Sequence, residues 1–336
     1  MMSYAVVRCH GLRTHLLPKE KILELVKSKN LQEFANKLFG TPYEKRIRNQ
    51  KINLELFTRV FIDTFIERLL VVCKVTPSDC AEFLKNYFMK IELDWVISIL
   101  IKKLKKEPIS PAEIPVTKII FIDLRELSSV KTFEDAINLL IKYKPYNKIK
   151  PEFIHKILEE QSILLLNRVL WSFYYRNLIQ SITAIPKDSR KIIEKIIGME
   201  TDIANCIMAL STYLYKFPPE ITRELIIPYS YRINLRTLEK IISERNKDVI
   251  LKLLSPYEMV IRTLLEKGET LAYALAQKLI RGYLEKIRVK YSMKFAFIFY
   301  YLKMAEFEYK DLTTCSFGVY HHIPFEKLKD FLILID

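Results

Sequence analysis

The sequence predicts an all-α protein made of three repeated helical lobes, and three observations support that prediction. Apolar residues recur every three or four positions, as at Phe57, Phe61 and Phe65, which is the spacing of one face of an α-helix. Glycine, which tight hairpin turns usually need, occurs only six times in 336 residues. Two kinds of marker, an acidic pair and a Pro-Tyr dipeptide, recur along the chain at an interval of about 105 residues.

The apolar stripes indicate helices in each part of the chain. Ile22, Leu25 and Val26 begin one stripe, and a second runs from Leu54 to Leu69. A third includes Ile154, Ile157, Leu158 and Leu165. Only the run KIIFIDL, residues 118–124, has the continuous apolar character of a strand, and it is short. The helices are therefore expected to follow one another through short connections, which prolines often mark.

The acidic pairs consist of two carboxylates separated by one residue. They begin at Glu92, Glu200 and Glu306, at intervals of 108 and 106 residues. Three Pro-Tyr dipeptides that keep the same register, at Pro42, Pro145 and Pro256, precede the acidic pairs by 50, 55 and 50 residues. These spacings divide the chain into helical repeats at residues 1–110, 111–222 and 223–336. The markers of the repeats are Glu92, Asp94, Glu200, Asp202, Asn205, Glu306, Glu308, Asp311, Pro42, Tyr43, Pro145, Tyr146, Pro256 and Tyr257.

Helix geometry favours an architectural role for the acidic pairs. Residues two apart on a helix lie roughly 200° apart around its axis, so Glu200 and Asp202 cannot share one metal or one proton. Asp202 and Asn205 do share a face, because they are three residues apart. The first repeat has Ile97 three residues after Asp94, so it lacks the polar partner. Carboxylates that cap helices or pair with lysine and arginine explain this pattern better than catalysis does.

Several classes of site are excluded or disfavoured. The glycines are too dispersed for a G-x-G-x-x-G turn or a G-x-x-x-x-G-K loop, which excludes the common nucleotide sites. The adjacent His321 and His322 point to different sides and make a poor metal site. No segment reaches the ~18–20 apolar residues of a membrane span. We therefore expect no cofactor, no metal site and no catalytic residue, and a reduced set of buried cysteines.

The net charge of +15 indicates an acidic partner, an anionic membrane surface or nucleic acid. Lysine and glutamate alternate along the helical faces, and the densest basic patch, KKLKKE, is expected to end a helix. A basic helical protein that binds nucleic acid or acts as a scaffold is the alternative function. An enzyme that uses the acidic pairs is a third hypothesis, which the helix geometry disfavours.

Four segments resemble the C subunit of the archaeal A-type ATP synthase, whose family includes the d subunit of vacuolar ATPases. They are YAVVRCHGLRTHLL from Tyr4, LFGTPYEK from Leu38, METDIANCIMALSTYLYKFPPEITRELIIP from Met199 and YYLKMAEFEYKDL from Tyr300. The order and spacing of these segments carry the resemblance, which covers nearly the whole chain. The family usually has an arginine after Asn-Leu, where this sequence has Ala209 and Leu210 after the second motif and Cys315 after the third. Asp311 stands where asparagine is usual, and the first motif is eroded.

The resemblance implies a three-lobed helical funnel with a pseudo-threefold axis. It implies a non-catalytic central-stalk protein that sits on the membrane rotor ring of proteolipid subunits and receives the D and F subunits of the shaft in its cavity. Such a protein is peripheral, on the cytoplasmic face of the membrane, and binds neither nucleic acid nor a small-molecule substrate. The candidate contacts to the ring or to anionic head groups are Arg8, Arg13, Lys102, Lys103, Lys105 and Lys106.

Overall fold

The computed structural model describes residues 2–111, 114–115 and 121–335. The described residues contain helices and no strand, which confirms the all-α prediction. The α-helices are α1 Met2–Arg13, α2 Lys19–Val26, α3 Leu31–Lys37, α4 Glu44–Ile47, α5 Leu54–Val75, α6 Ser78–Leu104, α7 Leu124–Ser129, α8 Phe133–Leu140, α9 Pro151–Glu160, α10 Ile163–Gln180, α11 Lys187–Leu214, α12 Pro219–Leu225, α13 Leu235–Ser243, α14 Lys247–Leu253, α15 Glu258–Lys267, α16 Glu269–Lys290, α17 Phe295–Tyr320 and α18 Phe325–Leu328. Short 3₁₀ helices are Tyr146–Lys148, Ile182–Ala184, Ser255–Tyr257 and Lys329–Phe331.

The segment suggested as a strand is described only in part. Residues 118–120 lie outside the described residues, and residues 121–123 form a bend that leads into α7. The predicted end of a helix within KKLKKE is confirmed, because α6 ends at Leu104. Its last turn carries Lys102 and Lys103, whose positive charges favour the negative end of the helix dipole.

Three helices are much longer than most of the others and set the architecture. They are α6, α11 and α17, with 27, 28 and 26 residues, or about 40 Å each. Each follows a shorter partner helix, α5, α10 or α16. Pro77 and Pro186 precede α6 and α11, where the missing N–H of proline would find no helical partner in any case. The side chain of Asn53 caps α5 by accepting a hydrogen bond from the Leu56 amide.

The three long helices converge at their N-terminal ends. Phe83 of α6 packs edge-on against Phe295 of α17, with ring centroids 6.1 Å apart. The Ser189 hydroxyl of α11 accepts a hydrogen bond of 3.1 Å from the Ala296 amide of α17. This end of the protein, which we call the convergent end, therefore joins all three helices through buried side chains.

The C-terminal ends of the same helices pack against different neighbours. Lys103 of α6 donates to the Ser128 and Val130 carbonyls, next to α7. Thr212 of α11 donates to the Ile242 carbonyl of α13. At Gly318 of α17 an added Cβ would lie 2.1 Å from Leu328 of α18, so this contact requires glycine. The C-terminal ends of the three helices are therefore held by three different sets of neighbours, unlike the convergent end.

Candidate functional site

Glu92 of α6 binds groups from the following part of the chain. Its carboxylate accepts hydrogen bonds from the Phe121 and Ile122 amides, at 2.6 and 3.2 Å. It also accepts a hydrogen bond of 3.0 Å from the hydroxyl of Tyr146, which belongs to a registered Pro-Tyr dipeptide. We call such a carboxylate, with the tyrosine and amides that it holds, a seam.

Asp202 of α11 makes the second seam. It accepts hydrogen bonds from the Tyr231, Arg232 and Ile233 amides and from the Tyr257 hydroxyl, at 2.7–3.3 Å. The segment can approach α11 this closely because Gly198 lies one turn before Asp202. A Cβ on Gly198 would lie 2.7 Å from Cβ of Tyr231, closer than two carbon atoms can pack.

Glu308 of α17 makes the third seam, with groups from the beginning of the chain. It accepts hydrogen bonds from the Tyr43 hydroxyl and the Leu17 amide. It also forms a buried ion pair with Arg68, with 2.7 Å between nitrogen and oxygen. The first and last parts of the chain are therefore held together at this carboxylate.

The three seams follow a cyclic order. The tyrosine of the second predicted repeat binds the long helix of the first, that of the third binds the second, and that of the first binds the third. Glu92 thus occupies the place of Asp202 and Glu308, whereas the sequence comparison aligned Asp94 with those two residues. The contacts therefore shift the alignment of the first predicted repeat by two residues. In this alignment Lys90 occupies the position that Glu200 and Glu306 have in the other two predicted repeats.

Asn205 and Asp311 extend two of the seams. Asn205 donates to the Ile227 carbonyl and accepts from the Ile227 amide, at 2.9 and 2.8 Å. Asp311 accepts from the Ile333 and Leu334 amides, each at 2.7 Å. Burial raises the pKa of Asp311 to about 7, although the two amide hydrogen bonds oppose that change. In the first repeat, Trp95 stands three residues after Glu92.

The other members of the second and third pairs, Glu200 and Glu306, face a charge cluster between the long helices. Lys90 lies 3.2 Å from Glu200 and 3.3 Å from Glu306, so it joins α6 to α11 and α17. Lys303 lies 2.8 Å from Glu306 and 3.3 Å from Glu200, and Lys310 lies 3.2 Å from Glu306. We call these five residues the central cluster. Glu200 and Asp202 therefore point to opposite sides of α11, as helix geometry requires.

Burial and ion pairing act against each other in the central cluster. Burial disfavours the charge of Glu306, but Lys303, Lys90 and Lys310 hold its pKa well below the ordinary value. Burial also disfavours the charge of Lys303 and lowers its pKa to about 8, even though Glu306 opposes the change. Because every member has an opposite charge within 3.3 Å, the cluster can stay buried.

Sequence reasoning missed the lysines of this cluster and the arginine of the third seam. A two-residue shift in the repeat alignment would have found Lys90. It lies two positions before Glu92, just as Glu200 lies two positions before Asp202. Arg68 and Lys303 are not among the residues that recur from one predicted repeat to the next. Their roles depend on which helices meet in space.

A cavity of about 520 Å³ lies beside the central cluster. Its wall is built from α6, α10, α11, α16 and α17, and includes Met208 and Thr313 from the C-terminal halves of α11 and α17. Most of its charged groups are paired. Arg168 pairs with Glu269, and Lys310 also donates a hydrogen bond of 2.6 Å to the Tyr273 hydroxyl.

Asp94 is the exception in the cavity wall. It is exposed to the cavity, and it has no hydrogen bond or ion pair within the described part of the chain. Surrounding protein raises its pKa to about 6, because the loss of hydration outweighs attraction by Lys310 and Lys90, and Glu306 adds repulsion.

The candidate ring contacts fall at two separate places. Arg8 is exposed on α1, whose His10 lies at the convergent end against Ser292 and Phe297. Lys102, Lys103, Lys105 and Lys106 lie at the other end of α6, about 30 Å from Phe83 by the helical rise. Lys103 is bound to carbonyl groups, and Arg13 is half-buried beside Tyr300. These residues do not form one continuous surface.

Metal sites and membrane-spanning helices are both absent from the described residues. No group of three or more histidine, cysteine, aspartate or glutamate side chains there could hold a metal ion. None of the helices formed by these residues has the length and apolar character to cross a membrane. The five cysteines are buried and free.

Comparison with known proteins places the chain in a family. The family model described as ATP synthase (C/AC39) subunit matches residues 5–331. The chain is similar to the A-type ATP synthase C subunit of Pyrococcus furiosus, with 22% identity over 87% of this chain and 78% of the relative. The same protein of Pyrococcus abyssi is also 22% identical, over 98% of this chain and 89% of the relative. The chain therefore belongs to the ATP synthase (C/AC39) subunit family.

Proposed function

We propose that this chain is the central-stalk rotor subunit of an A-type ATP synthase. It has no catalytic role of its own and transmits torque between a membrane ring of proteolipid subunits and the D and F subunits of the shaft. The observation that carries the proposal is the closed order of the three seams, which joins the first and last parts of the chain in a molecule that has a cavity beside its long helices. A closed ring of helices resists twisting better than an open array, because no unit has a free edge.

The seams also support the division into repeats at residues 1–110, 111–222 and 223–336. Each predicted repeat contributes one long helix with a seam carboxylate and one tyrosine that binds a neighbouring repeat. The cavity between the long helices is the proposed seat of the shaft. We propose that its walls turn with the shaft as one body, because the central cluster ties all three helices together.

The convergent end is the proposed contact with the ring, on the cytoplasmic face of the membrane. There, α1, the last turn of α16 and the turn that follows it expose Tyr4, Val7, Val289 and Met293, each more than half accessible. Arg8, on the same exposed stretch of α1, adds positive charge. Apolar side chains among basic ones suit a ring surface bordered by anionic head groups. Lys102 and Lys105 lie too far away to join this contact.

Reconstitution with the purified membrane ring tests the proposal. We expect the chain to bind the ring and to be required for ATP hydrolysis to drive proton pumping. Arg8→Glu should weaken ring binding about tenfold, whereas the matched change Lys105→Glu, at the opposite end of α6, should leave it unchanged. A washed, intact and coupled complex that lacks this chain would contradict the proposal.

A further inference from the structure

Asp94 differs from every other charged side chain of the cavity wall. Glu200 is paired with Lys90 and Lys303, Glu269 with Arg168, and Lys310 with Glu306. Asp94 has no such partner among the described residues and is open to the cavity. The free energy of this carboxylate would fall if a positive charge approached it from the cavity.

Aromatic rings surround the same position. Tyr175 of α10, Tyr273 of α16 and Tyr309 of α17 line the cavity, and the hydroxyl of each lies close enough to interact electrostatically with Asp94. Trp171 of α10 lies in the same wall. Faces of tyrosine and tryptophan rings attract cations, and the attraction is stronger where water is excluded.

A second acceptor is also left without a partner. Glu200 is 4% exposed, and its Oε2 atom has no hydrogen bond within the part of the chain that the structure describes, although its Oε1 atom binds Tyr87 and Lys90. Glu200 lines the cavity with Asp94, but its Oε2 atom is buried, so Asp94 is the acceptor that is open to the cavity and Glu200 adds negative charge behind the wall. This set of groups fits a hydrogen-bonding cation.

We propose that the cavity binds a lysine or arginine side chain at the tip of the shaft, with Asp94 as its counter-charge and Tyr175, Tyr273 and Tyr309 around it. The inference rests on the proposed function, since it takes the shaft as the occupant. Charge complementarity supports this choice, because the other charges of the wall are already paired. A volume of about 520 Å³ also exceeds the space of one ion and suits the tip of a protein element.

The test compares variants of the full chain for binding to the purified complex of the D and F subunits. Asp94→Asn should weaken binding at least tenfold, because it leaves a buried cation of the shaft without its counter-charge. Asp94→Glu, which keeps the charge, should retain most of the affinity. Asp79→Asn is the matched control, because Asp79 is exposed on the same helix at the convergent end.

A double-mutant cycle identifies the partner of Asp94. Each basic residue at the shaft tip is changed to glutamine, alone and together with Asp94→Asn. We expect one of these residues to lose its effect when Asp94 is already changed. Thermal unfolding of each variant, measured in parallel, shows that the variants compared are folded.

Three outcomes separate the two proposals. If the unaltered chain does not bind the shaft, the proposed function is overturned. If it binds, and Asp94→Asn binds equally well with no coupled basic residue, the cation inference alone is overturned. If Asp94→Asn keeps shaft binding but abolishes binding of free Mg²⁺, the site belongs to a metal ion, and the inference is again overturned.

Discussion

The seam at Glu308 and the seam at Asp202 use similar groups, but they differ in charge. Each carboxylate holds a tyrosine hydroxyl and main-chain amides. Glu308 also has a buried ion pair with Arg68, whereas Asp202 forms no ion pair within the described residues. The sequence separations differ as well, since Tyr43 and Glu308 are 265 residues apart and Tyr257 and Asp202 are 55 apart.

This difference shows how the first and last parts of the chain are held together. Chain continuity keeps Asp202 near the segment that it binds, so a short loop makes that contact at a low cost in entropy. The Glu308 seam joins the two ends of the chain and has no such help. In the hydrogen bond from Arg68 to Glu308 both the donor and the acceptor are charged, whereas the donors at Asp202 are neutral, and this ion pair fixes the geometry of the distant contact.

The largest expected effect is at the closing seam. Glu308→Gln should lower the free energy of unfolding by about 3–5 kcal/mol, because it leaves the buried Arg68 without a negative partner. Asp202→Asn should cost about 1–3 kcal/mol, because it weakens hydrogen bonds without exposing an opposite charge. Denaturant unfolding of both variants measures the difference.

Changing Arg68 as well is the control for this prediction. The double variant Arg68→Met with Glu308→Gln should recover part of the lost stability, because no unpaired charge remains. If Glu308→Gln costs no more than Asp202→Asn, the charge of the closing seam has no special role.

The tyrosines give a smaller effect than Glu308→Gln. Tyr257→Phe removes a hydrogen bond to a buried carboxylate and should cost about 1.5–3 kcal/mol. Burial already raises the pKa of Asp202, and the Tyr257 hydrogen bond opposes that rise. Tyr43→Phe should cost less, because Arg68 still compensates Glu308. Equal losses in denaturant unfolding would show that the ion pair does not support the seam.

Asp94 should show the smallest effect and the opposite sign. Its pKa in the folded chain is about 6, above its ordinary value of 3.8, so folding disfavours the charged form. The stability that the protonated group contributes is present below pH ~4 and is lost as pH rises through about 6. Asp94→Asn should therefore be more stable than the unaltered chain at pH 8.

The expected gain is modest, about 1 kcal/mol or less, because water in the cavity screens the charge. Melting temperatures at pH 4.5 and pH 8 measure it. The gain should be much smaller at pH 4.5, and the same gain at both values would contradict a titrating Asp94. A residue that destabilises the free chain yet strengthens shaft binding would separate this wall from the seams, where the carboxylates hold tyrosine hydroxyls and main-chain amides within the fold.

Much of the fold could be predicted from the sequence, because the signals for it are local. Periodicity in stripes such as Leu54–Leu69 depends on neighbouring residues alone, and the helix α5 forms there. The family resemblance could be recognised for a similar reason, since short motifs in a set order survive when most other positions change. The match to the family model confirms it.

The register of the first repeat shows where local reasoning stops. Glu92 and Asp94 have the same spacing as Glu200 and Asp202, so residue identity favours aligning Glu92 with Glu200 and Asp94 with Asp202. In the structure, Glu92 holds the tyrosine and Lys90 enters the central cluster. The same position of the central cluster is filled by a lysine, Lys90, in one predicted repeat and by a carboxylate in the others, because the cluster needs balanced charge and not one residue type.

Three features follow from the sequence alone: the chain forms amphipathic helices, its markers recur about every 105 residues, and Glu200 and Asp202 point in opposite directions. Each of these follows from the geometry of a single helix or from spacing along the chain. The folded structure was needed to show that Tyr43 meets Glu308, that Lys90 joins three helices, and that Asp94 has no partner among the described residues. Those contacts depend on how distant helices pack, and packing brings together residues whose separation in sequence carries no signal.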